Sequence, residues 1–181
     1  MCNASCVNYG KKYLTTEIIN GKRIIEVGSK IVGGISLRED AVAKKPKEYI
    51  GCDIVKGKNV DIICSIEEII NQFGEESFDV VINTEMLEHV ENWKLAINNL
   101  KLILRPKGYL LLTTRSKGFK KHNFPHDFWR FEIGDFKNIF DDLNIINIDT
   151  DKIAPGVFIF AQKPKDFNLK DLSEIIVYKI D

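Results

Sequence analysis

The chain has 181 residues, of which 44% are hydrophobic and 29% charged, and its 26 basic residues balance 26 acidic ones. This length and composition predict a single soluble globular domain, and the zero net charge argues against a large nucleic-acid or anionic-membrane footprint. No signal peptide is visible and no apolar run reaches the length of a membrane span, so we expect a cytoplasmic protein.

Short apolar strands alternate with helices from residue 23 onward. Strands are predicted at 23–28, 49–54, 60–65, 77–84, 108–114, 144–151 and 156–163. The spacing of apolar residues predicts helices at 66–73, 92–104 and 132–143. This alternation predicts an α/β fold with a mostly parallel, doubly wound sheet and helices on both faces. The short turn at Pro155 and Gly156 favours an antiparallel pairing of the last two strands.

Polar or small residues stand at the predicted carboxyl ends of the strands, where open α/β sheets bind their ligands. Gly28 lets the backbone approach a ligand without a Cβ clash. Asp53 offers two acceptor oxygens, which suit a pair of ribose hydroxyls. Ile66 could pack on an adenine face beside the polar Ser65. These strand ends therefore predict a site for a nucleoside ligand.

Four segments carry a family resemblance. IIEVGS, YIGCDI, FDVVINTEMLEHV and LRPKGYLLLTT, in this order, resemble the successive motifs of class I S-adenosylmethionine-dependent methyltransferases, in particular a Methyltransferase-11-like subgroup that contains LEHV. The similarity spans roughly residues 23–164. It implies a Rossmann-like, mixed seven-stranded sheet whose last strand is antiparallel, and S-adenosyl-L-methionine as cofactor.

The resemblance also implies a cofactor site at four strand ends. Its residues are Glu26, Gly28, Ser29, Asp53, Ile54, Ser65, Ile66, Thr84, Glu85 and Met86. The first three would lie near the amino-acid part of the cofactor, and Asp53 would bind the ribose. Ser65 and Ile66 would flank the adenine, and the last three would line the site below the sulfonium.

The glycine loop departs from the family pattern. In place of E-x-G-x-G-x-G the chain reads EVGSKIVGG, so Lys30 replaces the second glycine and Gly33-Gly34 come later. We therefore expect a different backbone around the methionine end of the cofactor. A subgroup with a CNxSC-like start and an EVGSK loop also resembles this chain, and we interpret Lys30 as a variant that such a subgroup tolerates.

The segment 115–131, RSKGFKKHNFPHDFWRF, is the predicted acceptor-binding element. It combines basic side chains with aromatic rings, which suits the binding of phosphate, carboxylate or sugar groups. We assign substrate binding to Arg115, His122, Trp129 and Arg130. Its PHDFWRF stretch resembles those of small-molecule and glycan-pathway methyltransferases, so we expect an acceptor of that kind. The alternative is a solvated basic loop whose aromatic residues pack into the core.

His89 is the first candidate for a proton acceptor and His126 the second, because an imidazole titrates near neutral pH. Glu85, Glu88 and His89 also form an ExxEH pattern, which could hold a divalent ion if one helical turn placed all three on one face. Such an element binds metal in small-RNA 3′-end 2′-O-methyltransferases and is suspected to do so in ubiquinone O-methyltransferases. We favour the interpretation without a metal.

Three other functions stay open at this point. A metal-dependent RNA or small-molecule O-methyltransferase would use ExxEH, and a non-catalytic cofactor-binding module would explain Lys30. A nicotinamide dehydrogenase shares the strand order but requires GxGxxG, which is missing. For domains, we predict an N-terminal extension at 1–22, the methyltransferase domain at 23–164 and a C-terminal tail at 165–181. The tail's EIIVYKI run predicts an extra edge strand or a partner contact.

Overall fold

The computed structural model describes residues 3–33, 36–122 and 125–180. Gly34 of the glycine loop, and Asn123 and Phe124 of the predicted acceptor-binding segment, lie outside the described residues.

A seven-stranded mixed sheet forms the centre of the fold. The strands of the chain are β1 (Arg23–Val27), β2 (Glu48–Asp53), β3 (Ile62–Ile63), β4 (Phe78–Thr84), β5 (Leu104–Arg115), β6 (Trp129–Arg130), β7 (Asn144–Thr150), β8 (Gly156–Gln162) and β9 (Tyr178–Lys179). The sheet order is β3-β2-β1-β4-β5-β8-β7, and β8 alone runs antiparallel to the other six strands. The predicted Rossmann-like fold, with its last strand antiparallel, is confirmed.

Helices pack on both faces of this sheet. They are α1 (Ala4–Tyr13), α2 (Thr16–Ile19), α3 (Arg38–Ala43), α4 (Ile69–Phe73), α5 (Trp93–Ile103) and α6 (Ile133–Ile139), with a short 3-10 helix at Leu87–His89. The Asn92 side chain caps α5 by accepting from the backbone N–H of Leu95 at 3.2 Å. Gly74 ends α4 with a φ of 79°, as its position in the sequence predicts.

Alternate residues of β4 belong to two separate cores. Val81 packs in the larger core with residues of α4, α5 and α6, whereas Val80 and Ile82 pack in the smaller core with α1. All three side chains are fully buried, because a central parallel strand is covered on both faces. The sheet is therefore held rigidly from both sides beneath the edge where its parallel strands end.

The termini of several elements differ from the sequence prediction. The helix expected at 132–143 ends at Ile139, and the strand expected at 108–114 begins already at Leu104. Pro106 is tolerated in that strand because the pairing of β4 with β5 shifts register between Phe78 and Val80. Helices α1, α2 and α3 were not predicted from the sequence.

The C-terminal tail forms a strand, but not at an edge of the main sheet. β9 pairs antiparallel with β6 in a separate two-stranded sheet, and the backbone N–H of Ile180 donates to the Phe128 carbonyl at 2.8 Å. Leu172 and Val177 are buried and anchor the tail in the larger core. Among the described residues, no helix has the length and apolar character required to cross a membrane.

Candidate active site

A cavity of about 840 Å³ opens at the carboxyl ends of β1, β2 and β4. Its volume is in the range that small-molecule and cofactor sites occupy. Its wall includes every residue that was predicted to contact the cofactor: Glu26, Gly28, Ser29, Asp53, Ile54, Ser65, Ile66, Thr84, Glu85 and Met86. All three histidines, His89, His122 and His126, line the same cavity. The individual roles of these residues stay predictions.

Gly28 allows two strand ends to approach each other at the floor of the cavity. Its φ is 78°, and a Cβ atom there would lie 2.7 Å from both Cβ and Cγ of Met86. A larger residue would therefore be strained and would clash. Its N–H donates to the Cys52 carbonyl at 2.8 Å, which ties the loop after β1 to β2.

The Asp53 carboxylate organises the loop that carries Lys30. One oxygen accepts from the Lys30 N–H at 3.0 Å and the other from the Val55 N–H at 3.2 Å. Each oxygen can accept a second hydrogen bond, so the carboxylate retains capacity for ribose hydroxyls. The Lys30 stem passes close over Gly57, where a Cβ would lie 2.7 Å from Lys30 Cγ. The unusual lysine is thus accommodated by a glycine in the opposite loop.

Glu26 is a buried carboxyl at the methionine end of the predicted cofactor site. It is 3% exposed and accepts a hydrogen bond from the Tyr49 hydroxyl at 2.8 Å. Burial raises the pKa of Glu26 to about 7, although the Tyr49 hydrogen bond and the nearby Arg38 charge oppose that rise. A cationic group bound beside it would favour the ionised form, which fits the ammonium group of an amino acid.

The Glu85 side chain belongs to a buried ionic network. Its carboxylate forms an ion pair with Arg115 and accepts from the Thr113 hydroxyl at 2.8 Å and the Cys6 thiol at 3.3 Å. Burial and the nearby Glu88 raise the pKa of Glu85 well above its ordinary value, against the effect of Arg115. Glu85 has a φ of 54°, which is uncommon for a non-glycine residue.

This conformation separates Glu85 from the other two members of the ExxEH pattern. The 3-10 helix begins only at Leu87, after the turn that Glu85 makes. The Glu88 carboxylate accepts from Thr114, whereas that of Glu85 accepts from Thr113, the preceding residue of β5. Successive strand residues point to opposite faces, so Glu85 does not share one helical face with Glu88 and His89, which was the condition for a metal site built from all three.

Three of the four residues predicted to bind the acceptor make contacts within the protein and do not line the main cavity. Arg115 is 1% exposed and bridges Glu85 and Asp151, the latter at 3.0 Å. Arg130 is 2% exposed, and its two terminal nitrogens donate to the Asp127 carboxylate at 2.6 and 2.7 Å. Neither arginine lines the main cavity in the described part of the chain. A guanidinium buried this deeply requires an acid partner, which sequence spacing alone did not identify.

Trp129 supports the cavity wall without reaching the cavity itself. Its indole N–H donates to the carbonyl of Val90 at 2.9 Å, and the N–H of its neighbour Phe128 donates to that of Glu88 at 2.9 Å. These two bonds join Phe128 and Trp129 to the 3-10 helix and the residue that follows it. Phe128 itself lines the cavity. Of the predicted acceptor-binding residues, only His122 lies in the cavity wall.

Glu88, His89 and His122 converge, and the two histidines of this cluster line the cavity. Glu88 is fully buried, and its Oε1 lies 3.9 Å from Nε2 of both His89 and His122. One ligand atom from each of the three residues lies within 4.8 Å of the others, a spacing that a metal ion could bridge. The sequence prediction of no metal stays a prediction.

The sequence analysis missed the pairing of His122 with Asp127. The Asp127 carboxylate accepts from both the backbone N–H and the ring Nδ1 of His122, at 2.8 and 2.9 Å. The HNFPHDFWR stretch contained the signal, because an acid lies five residues after one histidine and three before an arginine. Sequence alone could not show that the loop folds back on itself.

A family comparison agrees with this architecture. The matching family model, described as a methyltransferase domain, covers residues 10–145. The chain belongs to this methyltransferase family. The predicted class, that of the S-adenosylmethionine-dependent class I methyltransferases, is thereby confirmed, and S-adenosylmethionine is the cofactor of the class.

Curated relatives of this methyltransferase include two ubiquinone biosynthesis O-methyltransferases. The protein from Agrobacterium fabrum is 27% identical over 131 residues, which are 65% of this chain and 50% of that protein. The mitochondrial protein from Rattus norvegicus is 33% identical over 93 residues, which are 50% of this chain and 26% of that protein. The chain thus spans half or less of the length of these relatives.

Solved structures share the fold of this methyltransferase at low sequence identity. The Burkholderia thailandensis 1,6-didemethyltoxoflavin-N1-methyltransferase, bound to S-adenosylhomocysteine, has a TM-score of 0.68 and 11% identity, over 88% of this chain and 78% of that chain. The N-methyltransferase NodS of Bradyrhizobium japonicum has a TM-score of 0.64 and 14% identity, over 91% of this chain and 99% of that chain. At these identities the likeness establishes the fold.

Proposed function

We propose that this protein transfers the methyl group of S-adenosylmethionine to a hydroxyl of a small-molecule or glycan-type acceptor. The observation that carries the proposal is a single cavity with two chemically different ends. One part has the glycine after β1 and the acid at the end of β2, and another has the imidazoles of His89 and His122.

The cofactor end suits each part of S-adenosylmethionine. Asp53 would accept hydrogen bonds from the ribose, and Ile66 would pack against the adenine. Glu26 would face the ammonium group. Gly28 has no Cβ atom, so it can lie against Met86 at the floor of the site. When bound, the cofactor supplies an activated methyl group, so the protein's main task is to orient the acceptor atom toward it.

The opposite end favours a hydroxyl acceptor. His89 and His122 line the cavity, and an imidazole can accept a hydrogen bond from a hydroxyl group. A sugar or a phenol carries such groups on a ring that Phe128 can contact. The relatives whose names specify an O-methyltransferase support oxygen as the nucleophile.

A labelled-methyl assay tests this proposal directly. The full chain would be incubated with S-adenosylmethionine carrying a radioactive methyl group and with separate probes: a catechol, a monophenol, a reducing sugar and an RNA duplex. We expect label in a phenol or sugar and none in the RNA. Tight binding of S-adenosylhomocysteine with no transfer to any probe would favour the non-catalytic module instead.

Asp53 provides the first variant to compare. Asp53→Ala should weaken S-adenosylmethionine binding roughly ten- to a hundredfold, because it removes charge-assisted hydrogen bonds worth about 1.5–3 kcal/mol. Glu48→Ala is the matched control, since Glu48 is an exposed acid at the other end of the same strand. Isothermal titration calorimetry measures both, and equal affinities for the two variants would contradict the ribose assignment.

A further inference from the structure

The acceptor end of the cavity, defined by Phe128 and the three histidines, is a wall of ring side chains. The ring centroids of His126 and Phe128 lie 5.6 Å apart, and those of His89 and His122 lie 4.7 Å apart. Met86 lines the same cavity, and its thioether packs well beside aromatic rings. A flat aromatic acceptor can stack on such faces and edges, whereas a sugar would leave several hydroxyl groups beside carbon atoms.

The two arginines that were expected to attract an anionic acceptor are already compensated by acids. Both terminal nitrogens of Arg130 donate to the Asp127 carboxylate, and Arg115 pairs with Glu85 and Asp151. Both guanidinium groups are buried with these partners. Their charges are therefore satisfied within the protein before any acceptor binds.

The charged residues that do line the cavity are acidic, with one exception. Five acids belong to the described wall: Glu26, Asp53, Glu67, Glu85 and Glu91. Lys30 is the one lysine there, and it lies at the cofactor end, with its stem against Gly57 and its backbone N–H on Asp53. The residues outside the described ranges include no lysine or arginine. An anionic acceptor would thus find acids in the wall and no basic side chain at its own end.

The histidines do not replace a cation. Glu88 Oε1 lies 3.9 Å from Nε2 of both His89 and His122, so this buried carboxylate compensates a proton on either ring. Burial also lowers the pKa of His122, against the effects of Glu88 and Asp127, which favours the neutral ring at neutral pH. His126 is exposed, so water and salt screen its charge.

We infer that the acceptor is a phenol without an anionic substituent, and that Glu91 selects against phosphate and carboxylate groups. This inference rests on the proposed function. Glu91 is an exposed acid of the cavity wall, and its carbonyl accepts from the Trp129 indole at 3.2 Å. Its backbone is thereby joined to the segment that carries Phe128. A carboxylate there repels an anionic substituent and attracts an ammonium group, because the interaction acts over several ångströms even in water.

Three catechols of similar shape test the charge preference. Dopamine carries an ammonium group, hydroxytyrosol a neutral hydroxyl and dihydroxyphenylacetate a carboxylate. Calorimetry on the full chain with S-adenosylhomocysteine bound should show the carboxylate binding about tenfold more weakly than the neutral compound, and the amine about threefold more tightly. Equal affinities for the three compounds would overturn the inference.

A non-aromatic diol tests the preference for a phenol. Cyclohexanediol presents two neighbouring hydroxyl groups on a saturated ring, so it should bind about tenfold more weakly than catechol in the same titration. Equal or tighter binding of cyclohexanediol would overturn the aromatic part of the inference.

Glu91→Gln removes the charge and nearly keeps the shape of the side chain. This variant should narrow the difference in affinity between dopamine and dihydroxyphenylacetate about threefold, with unchanged affinity for S-adenosylhomocysteine. Glu17→Gln is the matched control, since Glu17 is an exposed acid of α2 that does not line the cavity. A difference that narrows equally in both variants, or in neither, would overturn the role of Glu91.

The labelled-methyl assay separates this inference from the proposed function. Transfer to a hydroxyl probe, together with equal binding of the three catechols, would overturn the inference and leave the proposed function intact. Charge-selective binding without transfer to any probe would overturn the proposed function.

Discussion

The buried carboxyl of Glu26 destabilises the folded protein when it ionises, whereas the ionised form suits the proposed binding of the cofactor's ammonium group. Its pKa is raised from 4.5 to about 7, so between these pH values the folded protein binds more protons than the unfolded chain. Its contribution is most favourable below pH 4.5 and is lost as the pH rises through 7. The ionised form above pH 7 costs the fold up to about 3 kcal/mol.

Glu26→Gln should therefore stabilise the empty protein and weaken cofactor binding. Glutamine keeps an acceptor for Tyr49 but cannot ionise, so we expect a gain in unfolding free energy of about 1–3 kcal/mol at pH 8.5. The gain should shrink at pH 5.5. Urea unfolding at the two pH values measures this, and calorimetry measures the loss of S-adenosylmethionine affinity. A gain that is identical at both pH values would refute the assignment of the raised pKa.

The sequence indicated which residues line the cavity better than it indicated which acids pair with the buried arginines. Gly28 and Asp53 were assigned to the cavity because each stands at a strand end that is recognisable from apolar patterning, and Glu26 was assigned through the family resemblance. Arg115 and Arg130 were assigned to the acceptor by charge alone. Their acids, Asp151 and Asp127, come from a different strand end and from the loop's own fold, which local patterning does not show.

The tail strand β9 is connected to the cavity wall through backbone hydrogen bonds. The Ile180 N–H donates to the Phe128 carbonyl, and the Phe128 N–H donates to the Glu88 carbonyl. A continuous hydrogen-bonded connection thus runs from the tail to the 3-10 helix that carries His89. The tail should therefore restrain the acceptor end of the cavity and leave the cofactor end unaffected.

Ile180→Pro and Ile180→Ala separate the backbone bond from the side chain. Proline removes the N–H donor while favouring the extended backbone that Lys179 already has. Loss of one hydrogen bond of about 1 kcal/mol should speed amide exchange in residues 128–130 roughly fivefold in the proline variant. Hydrogen-exchange mass spectrometry measures this. We expect near-wild-type exchange with alanine, and unchanged affinity for S-adenosylhomocysteine in both; equal exchange in the two variants would exclude the restraint.

Elements with strong periodicity were predictable, and short ones were not. Helix α5 and strand β4 combine a clear apolar pattern with recognisable ends, so their predicted and observed bounds differ by at most one residue at each end. β9 and the 3-10 helix are two and three residues long. Elements this short exist because of tertiary contacts, and their own sequence carries little pattern.

For the whole molecule, the topology followed from strand order and connection length. The alternation of strands and helices implied the parallel strands, and the tight turn before Gly156 implied the antiparallel β7–β8 pair. The packing of α1 against the sheet was not predictable. This helix is only moderately amphipathic, and it precedes the first strand, so the alternation of strands and helices does not indicate where it packs. Cys6 of this helix nevertheless contacts Glu85 at the cavity.

The order of the strands along the chain also has a consequence for synthesis on the ribosome. The cofactor end is built from residues between Glu26 and Met86, whereas the acceptor end needs His122, Asp127 and finally Ile180. Because synthesis proceeds at about 5–20 residues per second, the residues of the first end are made several seconds before those of the second, and the domain then folds as a unit. A chain that ends early would thus contain the residues of the nucleoside pocket without those that select what is methylated.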